Sequence, residues 1–307
     1  MSSPAYAELH AHSAFSFLDG ASQPEEMVAE AARLGLSALA ITDHNGLYGA
    51  VRHAKAAAEQ GLSAVFGAEL SLAVAATASG SAQNRVETVA TLEDRTGTPD
   101  PKAQHLLVLA RGPSGYKQLS SAIGLAHLAS EAKARVEFSV EQLGAQAKGE
   151  WLVLAGCRKG AVRQALTGGG VAAARVELDR LMALFGAENV AVELPVPSSP
   201  AIGALHGALA GLAAEMRLPT VATTGAHYAR PAQAPLAQAL AAIRANSSLP
   251  TFEGFLPSPS AHLRSPAEMS RLFASFPQAV ATAAALGKEC SFDLRLVAPS
   301  LPPYPVP

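Results

Sequence analysis

Two histidines near the start of the chain have the spacing of a metal-chelating pair. Residues 8 to 12 read Glu-Leu-His-Ala-His, which places His10 and His12 two positions apart. In an extended segment, side chains two residues apart project from the same face, so both imidazoles can bind one ion. An α-helix does not bring them together at this separation. The pair alone is a weak signal, because most His-x-His sequences are incidental.

Further residues of metal-binding type strengthen the signal, because they recur at the ends of separate apolar runs. They are Asp19, Asp43, His44, Glu69, His105, Cys157 and His227. Loops that follow parallel strands meet on one side of a barrel, so these residues can converge. The pattern predicts a multinuclear site built from several loops. His105 is the exception, since it opens its apolar run; either its strand runs in the opposite sense or an irregular segment carries it.

The composition is that of a globular protein without a strong charge bias. Hydrophobic residues make up 49% of the 307 positions, and the formal net charge is −2. A protein that holds nucleic acid mainly by neutralising phosphates usually has a basic excess, although action on nucleic-acid ends stays open. Cys157 and Cys290 are too few for a disulfide scaffold, and no signal sequence or long apolar run is present. We expect a cytoplasmic protein with no membrane segment.

Apolar runs of strand length alternate with helical patterns along the chain. The runs are residues 6–10, 36–42, 62–66, 106–110, 151–155, 190–194 and 221–224. Continuous apolar strands are typical of a buried parallel sheet. Helix starts are indicated by Ser22 with Glu25, by Ser139 with Gln142, and by Ser-Pro-Ala-Glu at residues 265–268. The alternation predicts an α/β protein, most simply a barrel of about seven strands.

Taken together, the motifs resemble those of the polymerase and histidinol phosphatase (PHP) domain. Besides residues 8–12, they are Phe-Leu-Asp-Gly-Ala at 17–21, Ile-Thr-Asp-His at 41–44 and Gly-Ala-Glu-Leu at 67–70. Residues 105–109, 115–119, 221–228, 265–269 and 290–294 are similar to the N-terminal domain of bacterial C-family polymerases, above all their error-prone, damage-inducible members. The resemblance covers roughly residues 5 to 295.

This resemblance implies a distorted (β/α)7 barrel of PHP type that holds two or three divalent metal ions. The implied ligands are His10, His12 and the bridging Glu69 for the first ion, Glu69, His105 and Cys157 for the second, and Asp19, His44 and His227 for the third. Asp43 is expected to orient a ligand rather than to bind metal. Imidazole, carboxylate and thiolate ligands favour zinc, with manganese or iron as alternatives.

One position departs from the family pattern. Where an Asp-x-His is expected to supply two ligands, this chain reads Gly225-Ala226-His227. The first ion therefore lacks a carboxylate, although His10, His12 and Glu69 still make a three-ligand site with open positions. We expect metal binding with weak or absent hydrolysis.

Three functions remain as alternatives. The first is the PHP domain of an error-prone DNA polymerase in damage-induced translesion synthesis and DNA repair, mainly stabilising, with weak or no 3′ to 5′ exonuclease-like activity. Its expected partners are the rest of the polymerase chain, DNA through the intact protein, and mutagenesis accessory proteins. The second is a free-standing phosphatase of the histidinol-phosphate type, and the third is a non-catalytic interaction scaffold.

The proline-rich run at residues 299–307 favours the polymerase alternative. It predicts a PHP domain at 1–295, followed at 296–307 by the start of a linker to a polymerase body. No polymerase active-site carboxylates can be assigned in this sequence, so the fragment is expected to be at most a metal-dependent phosphoesterase.

Overall fold

A sheet of seven strands in sequential order forms the centre of the protein. The computed structural model describes residues 5–72, 104–130, 136–197, 200–251 and 259–298. The strands are β1 (Ala7–Glu8), β2 (Ala38–Ile41), β3 (Ser63–Leu72), β4 (Gln104–Ala110), β5 (Trp151–Ala155), β6 (Val190–Pro195) and β7 (Thr220–Thr223). Each predicted apolar run contributes one strand.

The strand directions differ from the parallel sheet that the apolar runs predict. β1, β2 and β3 are mutually parallel, and so are β5, β6 and β7. β4 is antiparallel to both of its neighbours, with Glu69 opposite Leu107 and Ser71 opposite His105. A continuous apolar run reports burial on both faces and not chain direction, and β4 is the strand whose direction the position of His105 left open.

The two ends of the sheet meet just beyond β1 and β7. The backbone N–H of Ala226 donates to His10 O at 3.0 Å, and the N–H of His12 donates to Ala226 O at 2.7 Å. These bonds form a parallel bridge between Ala11 and Ala226. The sheet is thus a nearly closed barrel, which confirms the predicted distorted seven-stranded α/β architecture.

Helices connect and cover the strands. They are α1 (Pro24–Leu34), α2 (Ala50–Gln60), α3 (Gly112–Ala129), α4 (Val140–Ala147), α5 (Ala161–Phe185), α6 (Pro200–Met216), α7 (Ala234–Arg244), α8 (Pro266–Leu272) and α9 (Pro277–Cys290). α9 contacts β1, β2, β3 and β7. Its Gly287 packs against Ala7 and Ala38, the first residues of β1 and β2, so α9 lies at the end where these strands begin.

Two of the three predicted helix starts are confirmed. Ser139 and Ser265 cap α4 and α8 by accepting hydrogen bonds from backbone N–H groups. The start at Ser22 is wrong by one residue, because Pro24 occupies the first turn and the N–H of Gln23 donates to the Glu26 carboxylate at 2.7 Å. The Ser22 hydroxyl instead accepts from the N–H of Ala229 at 2.9 Å.

Within the described ranges, no helix has both the length and the apolar character needed to cross a bilayer. The proline-rich run at 299–307 lies outside the described residues, so the domain boundary at 295 stays a prediction.

Candidate metal centre

The predicted ligands converge at one end of the barrel. They lie after β1 (His10, His12, Asp19), after β2 (His44), within β3 (Glu69), at the beginning of β4 (His105), after β5 (Cys157) and after β7 (His227). Because β4 runs against its neighbours, its beginning lies at the end where the other strands finish. This reversed direction explains why His105 opens its apolar run, and it is the first of the two alternatives that the sequence allows.

His10, His12 and Glu69 form one compact group. Their nitrogens His10 Nε2 and His12 Nε2 are 3.2 Å apart. The Glu69 carboxylate lies 3.3 Å from His12 Nε2 and 3.8 Å from His10 Nε2. Ligand atoms around a tetrahedral zinc, each about 2.1 Å from the ion, are separated by about 3.4 Å. The group therefore has the dimensions of a single metal site.

A second group shares Glu69 with the first. The carboxylate oxygen Oε1 is 3.0 Å from His105 Nδ1 and accepts a hydrogen bond of 2.9 Å from Cys157 Sγ. The other oxygen, Oε2, is 3.5 Å from His44 Nδ1. Glu69 thus stands between two clusters of donor atoms, which is the position of a bridging ligand.

Asp19 is the centre of a third group. Its Oδ2 atom lies 2.9 Å from His227 Nδ1, 3.5 Å from His44 Nε2 and 3.9 Å from His12 Nδ1. His12 and His44 therefore each present one ring nitrogen to Asp19 and the other to Glu69. On the other side of the carboxylate, Arg244 Nη1 is 3.5 Å from Asp19 Oδ1.

Three buried atoms of these groups form no hydrogen bond of good geometry with the described residues, although Asp19 Oδ2 and His227 Nδ1 are only 2.9 Å apart. They are Asp19 Oδ2, His44 Nδ1 and His227 Nδ1. A buried polar atom without a partner costs about 1 to 3 kcal/mol, so such atoms are rarely left unsatisfied in a native fold. A divalent ion would satisfy them, and the imidazole, carboxylate and thiol donors fit zinc.

The protonation states of Asp19, Glu69 and His12 also suit metal binding. Burial favours the neutral forms of Asp19 and Glu69, but the neighbouring histidines outweigh it and hold the pKa of both carboxyls well below the ordinary range. Burial, together with the nearby His44, lowers the pKa of His12. Burial and the charge of Glu69 raise the pKa of the Cys157 thiol to about 12. Ionised carboxylates and a neutral imidazole are the forms that bind metal, whereas Cys157 would have to release a proton.

Gly225 contributes no side chain to the centre. It has φ of +58°, and an added Cβ atom would meet no other heavy atom within 4 Å. A Cβ atom at this position would therefore have room. His227, two residues further on, is the most exposed of the predicted ligands, with 23% of its side chain accessible.

Asp43 is in none of the three groups, and serine donors hold its carboxylate. Its carboxylate accepts hydrogen bonds from the Ser13 N–H and hydroxyl, both at 2.7 Å, and from the Ser16 hydroxyl at 2.8 Å. The Ser16 oxygen is in turn 3.2 Å from His12 Nδ1. This chain of contacts is consistent with the orienting role that the sequence predicts for Asp43.

Sequence reasoning missed two carboxylates that lie next to the centre. Glu8 and Glu193 are fully buried in the barrel. Glu193 Oε1 lies 2.6 Å from His10 Nδ1, and it is the charge of this group, after the opposing effect of burial, that raises the pKa of His10 to about 9. The sequence did contain a signal for Glu193, because it lies inside the apolar run 190–194. An acidic residue is rarely buried without a partner, so a buried partner could have been predicted.

Comparisons with known proteins agree with the resemblance. The model of the family described as PHP domain matches residues 8–196. The chain is 53% identical over its whole length to the N-terminal region of the error-prone DNA polymerase of Mycobacterium tuberculosis (strain ATCC 25618 / H37Rv), of which it covers 26%. It is 52% identical to that of Nocardia farcinica over 98% of this chain and 28% of the relative. The chain thus spans about a quarter of the length of these curated relatives.

Two solved structures resemble the barrel at a distance. One protein, assigned as a metal-dependent phosphoesterase of Bifidobacterium adolescentis, shares 17% identity over 74% of this chain and 89% of its own, with a TM-score of 0.47. The other, an amidohydrolase of Chromobacterium violaceum, shares 16% identity over 73% and 88%, also with a TM-score of 0.47. These likenesses are too distant to add to the assignment. It rests on the family model, which matches more than half of the chain, and by that match the chain belongs to the PHP domain family.

Proposed function

We propose that this chain is the N-terminal PHP domain of an error-prone DNA polymerase that acts in the cytoplasm in damage-induced translesion synthesis and DNA repair. Identity of 53% along the whole chain, over 26% of the relative, supports a domain of a longer polymerase. Its partners are then the remainder of the polymerase chain, DNA through the intact protein, and mutagenesis accessory proteins. The predicted division into a domain at 1–295 and a linker from 296 belongs to the same proposal.

The domain binds two or three divalent ions, zinc in preference to manganese or iron. His10, His12 and Glu69 would hold the first ion, Glu69 with His105 and Cys157 the second, and Asp19 with His44 and His227 the third. The three buried atoms of this cluster that form no hydrogen bond of good geometry support the proposal. Bound ions stabilise the fold because they bind the folded state alone.

The main role of the centre is structural, and its hydrolytic activity is weak or absent. When bound, clustered divalent ions supply the Lewis acidity used in phosphoester hydrolysis. The observation that carries the proposal is Gly225, which has no side chain at the position where a carboxylate would be expected to hold the first ion, and where an added Cβ atom would meet no neighbour. A misplacement of about 1 Å can lower a rate on the order of a hundredfold. The second and third groups keep their donor atoms, so metal bound there would still stabilise the fold.

Restoring the carboxylate tests this proposal. The chain is assayed with Zn²⁺ or Mn²⁺ for release of nucleotides from the 3′ end of a single-stranded DNA oligonucleotide. Gly225→Asp should raise the rate about tenfold or more, because the added Cβ atom has room and aspartate adopts a positive φ more readily than most residues, which limits the backbone strain. Gly225→Asn is the matched control of equal size without the charge, and it should leave the rate low. His12→Ala should abolish any activity.

Two results would contradict the proposal. One is a robust rate of the unaltered chain that His12→Ala abolishes and Gly225→Asp does not increase, which would mean that the site works without the carboxylate. The other is fast hydrolysis of a small phosphomonoester such as histidinol phosphate with no action on DNA ends, which would favour the free-standing phosphatase.

A further inference from the structure

Glu193 occupies an unusual position for an acidic residue, inside the barrel and behind a predicted metal ligand. It lies in β6 and is fully buried. Its Oε1 atom is 2.6 Å from His10 Nδ1 and accepts a hydrogen bond of 2.5 Å from the Thr223 hydroxyl of β7. A buried carboxylate is costly unless it is paired, so these contacts fix its position.

The His10 ring extends from Glu193 to the metal centre. While Nδ1 faces the Glu193 carboxylate, the opposite nitrogen, Nε2, lies 3.2 Å from His12 Nε2 and 3.8 Å from Glu69 Oε1. In the neutral form that binds a metal ion, the imidazole carries one proton, and a carboxylate next to Nδ1 favours the proton on that nitrogen. The lone pair of Nε2 then points into the centre. The opposite tautomer would set the Nδ1 lone pair against a carboxylate oxygen.

We propose that Glu193 is a positioning residue for the first metal site. It fixes the tautomer and orientation of His10, and it supplies, without touching the ion, negative charge that Gly225 does not provide. The inference rests on the proposed metal binding by His10. A carboxylate behind a ligating histidine raises the basicity of that ligand, and loss of such a partner typically lowers metal affinity 10-fold to 100-fold.

Glu8 provides a matched control, because it is equally buried but accepts its hydrogen bond from the backbone of His10 and not from the ring. Its carboxylate accepts hydrogen bonds from the Tyr6 hydroxyl at 2.7 Å, from the backbone N–H of His10 at 2.9 Å and from the N–H of Thr224 at 2.8 Å. A general effect of removing a buried charge from the barrel would appear in both Glu8 and Glu193 variants. An effect through the direct contact with the imidazole nitrogen would appear only at Glu193.

The test compares Glu193→Gln with Glu8→Gln in the full 307-residue chain. Metal is removed with a chelator, Co²⁺ is titrated back, and the visible absorption bands of bound Co²⁺ report the affinity and ligand geometry of each equivalent. Glu193→Gln should lower the affinity for one equivalent of Co²⁺ 10-fold to 100-fold and leave the affinities for the other equivalents unchanged. Glu8→Gln should bind all equivalents as the unaltered chain does, whatever its effect on thermal unfolding.

Two double variants separate positioning from a general structural role. Gly225→Asp combined with Glu193→Gln should recover much of the lost affinity, because the new carboxylate reaches the ion directly. In a His10→Ala background, Glu193→Gln should cause no further loss, since residues that act as a unit are not additive.

Different results overturn different statements. If the unaltered chain binds no Co²⁺, the proposed metal binding fails and the role of Glu193 fails with it. If the chain binds Co²⁺ but Glu193→Gln keeps every affinity, or loses no more than Glu8→Gln, only the role of Glu193 is overturned. If Glu193→Gln does not fold, Thr223→Val tests the role of Glu193 instead. This variant removes the hydroxyl that donates to Glu193 and keeps a side chain of similar shape. Thr223→Val should lower the affinity for the same Co²⁺ equivalent several-fold. If that affinity is unchanged, the inference is overturned.

Discussion

The imidazole of His105 and the carboxylate of Glu69 meet at 3.0 Å across the antiparallel pair of β3 and β4. In this register His105 is opposite Ser71, two residues beyond Glu69, so the two side chains project from the same face of the sheet. A parallel β4 would have put its first residue at the far end of the barrel. The reversed strand therefore brings one more imidazole to the candidate metal centre.

Metal removal should destabilise the protein. A ligand that binds only the folded state at a thousandfold excess over its Kd contributes about 4 kcal/mol. A chelator should lower the melting temperature measured by circular dichroism, and added Zn²⁺ should restore it. His12→Ala should respond less to chelator, whereas His206→Gln, which alters a buried histidine outside the three metal groups, should respond as the unaltered chain does. A melting temperature insensitive to both chelator and zinc would contradict metal binding.

Zinc binding should release a proton from Cys157. Burial and Glu69 raise the pKa of this thiol to about 12, so it is protonated at neutral pH and must lose its proton to bind metal. Affinity for zinc should therefore rise with pH, and Cys157→Ala should lower the slope of log affinity against pH by about one. Competition with a coloured chelator between pH 6 and pH 8 measures this slope.

Cys290 is the matched control for this prediction. It is also a buried cysteine, but it lies at the end of α9, whereas the Cys157 thiol donates to Glu69 at 2.9 Å. Cys290→Ala should change the stability of the protein and leave the slope of log zinc affinity against pH unchanged. A slope that is equal in the unaltered chain and in Cys157→Ala would show that the thiol is not a ligand.

His53 should make the protein sensitive to mild acid. Its ring is fully buried and its Nε2 lies 3.1 Å from Leu39 O, while burial lowers its pKa to about 4. The unfolded chain binds a proton at this side chain near pH 6.5, so the free energy of unfolding falls as the pH drops from about 6.5 toward 4. Between pH 7 and pH 5 this amounts to about 2 kcal/mol. Urea unfolding of the chelator-treated protein should show a smaller loss in His53→Gln, and equal losses would contradict the assignment.

Two helix glycines should respond in opposite ways to alanine. A Cβ atom at Gly287 would lie 2.5 Å from Ala7 Cβ, so Gly287→Ala must push α9 away from β1 and should cost about 1 to 3 kcal/mol. At Gly124 in α3 no atom lies within 4 Å of the added Cβ, so Gly124→Ala should stabilise by about 0.5 to 1 kcal/mol. Chemical denaturation measures both, and a stabilising Gly287→Ala would contradict the packing of α9.

Local sequence patterns predicted the positions of the strands well, but not their relative directions or the side-chain contacts between distant strands. The run at 106–110 identifies β4 as buried, yet its direction depends on how the chain returns to the sheet, which no local pattern contains. The convergence of His10, Glu69 and His227 follows from barrel topology once strand ends are assigned. Glu193 escaped notice because its partner, His10, is 183 positions away in sequence. Such pairs are decided by contacts between distant strands.

The seam between the first and last strands also sets the order in which the centre can be assembled during synthesis. The hydrogen bond from Thr224 to Glu8 joins residues 216 positions apart, and the bridge at Ala11 and Ala226 lies beside it. A ribosome that makes the chain from its N-terminus releases His10 and His12 long before His227 exists. Contacts of such long range form slowly. Closure of the barrel, and with it the complete set of donors, is therefore a late event in the maturation of the nascent chain.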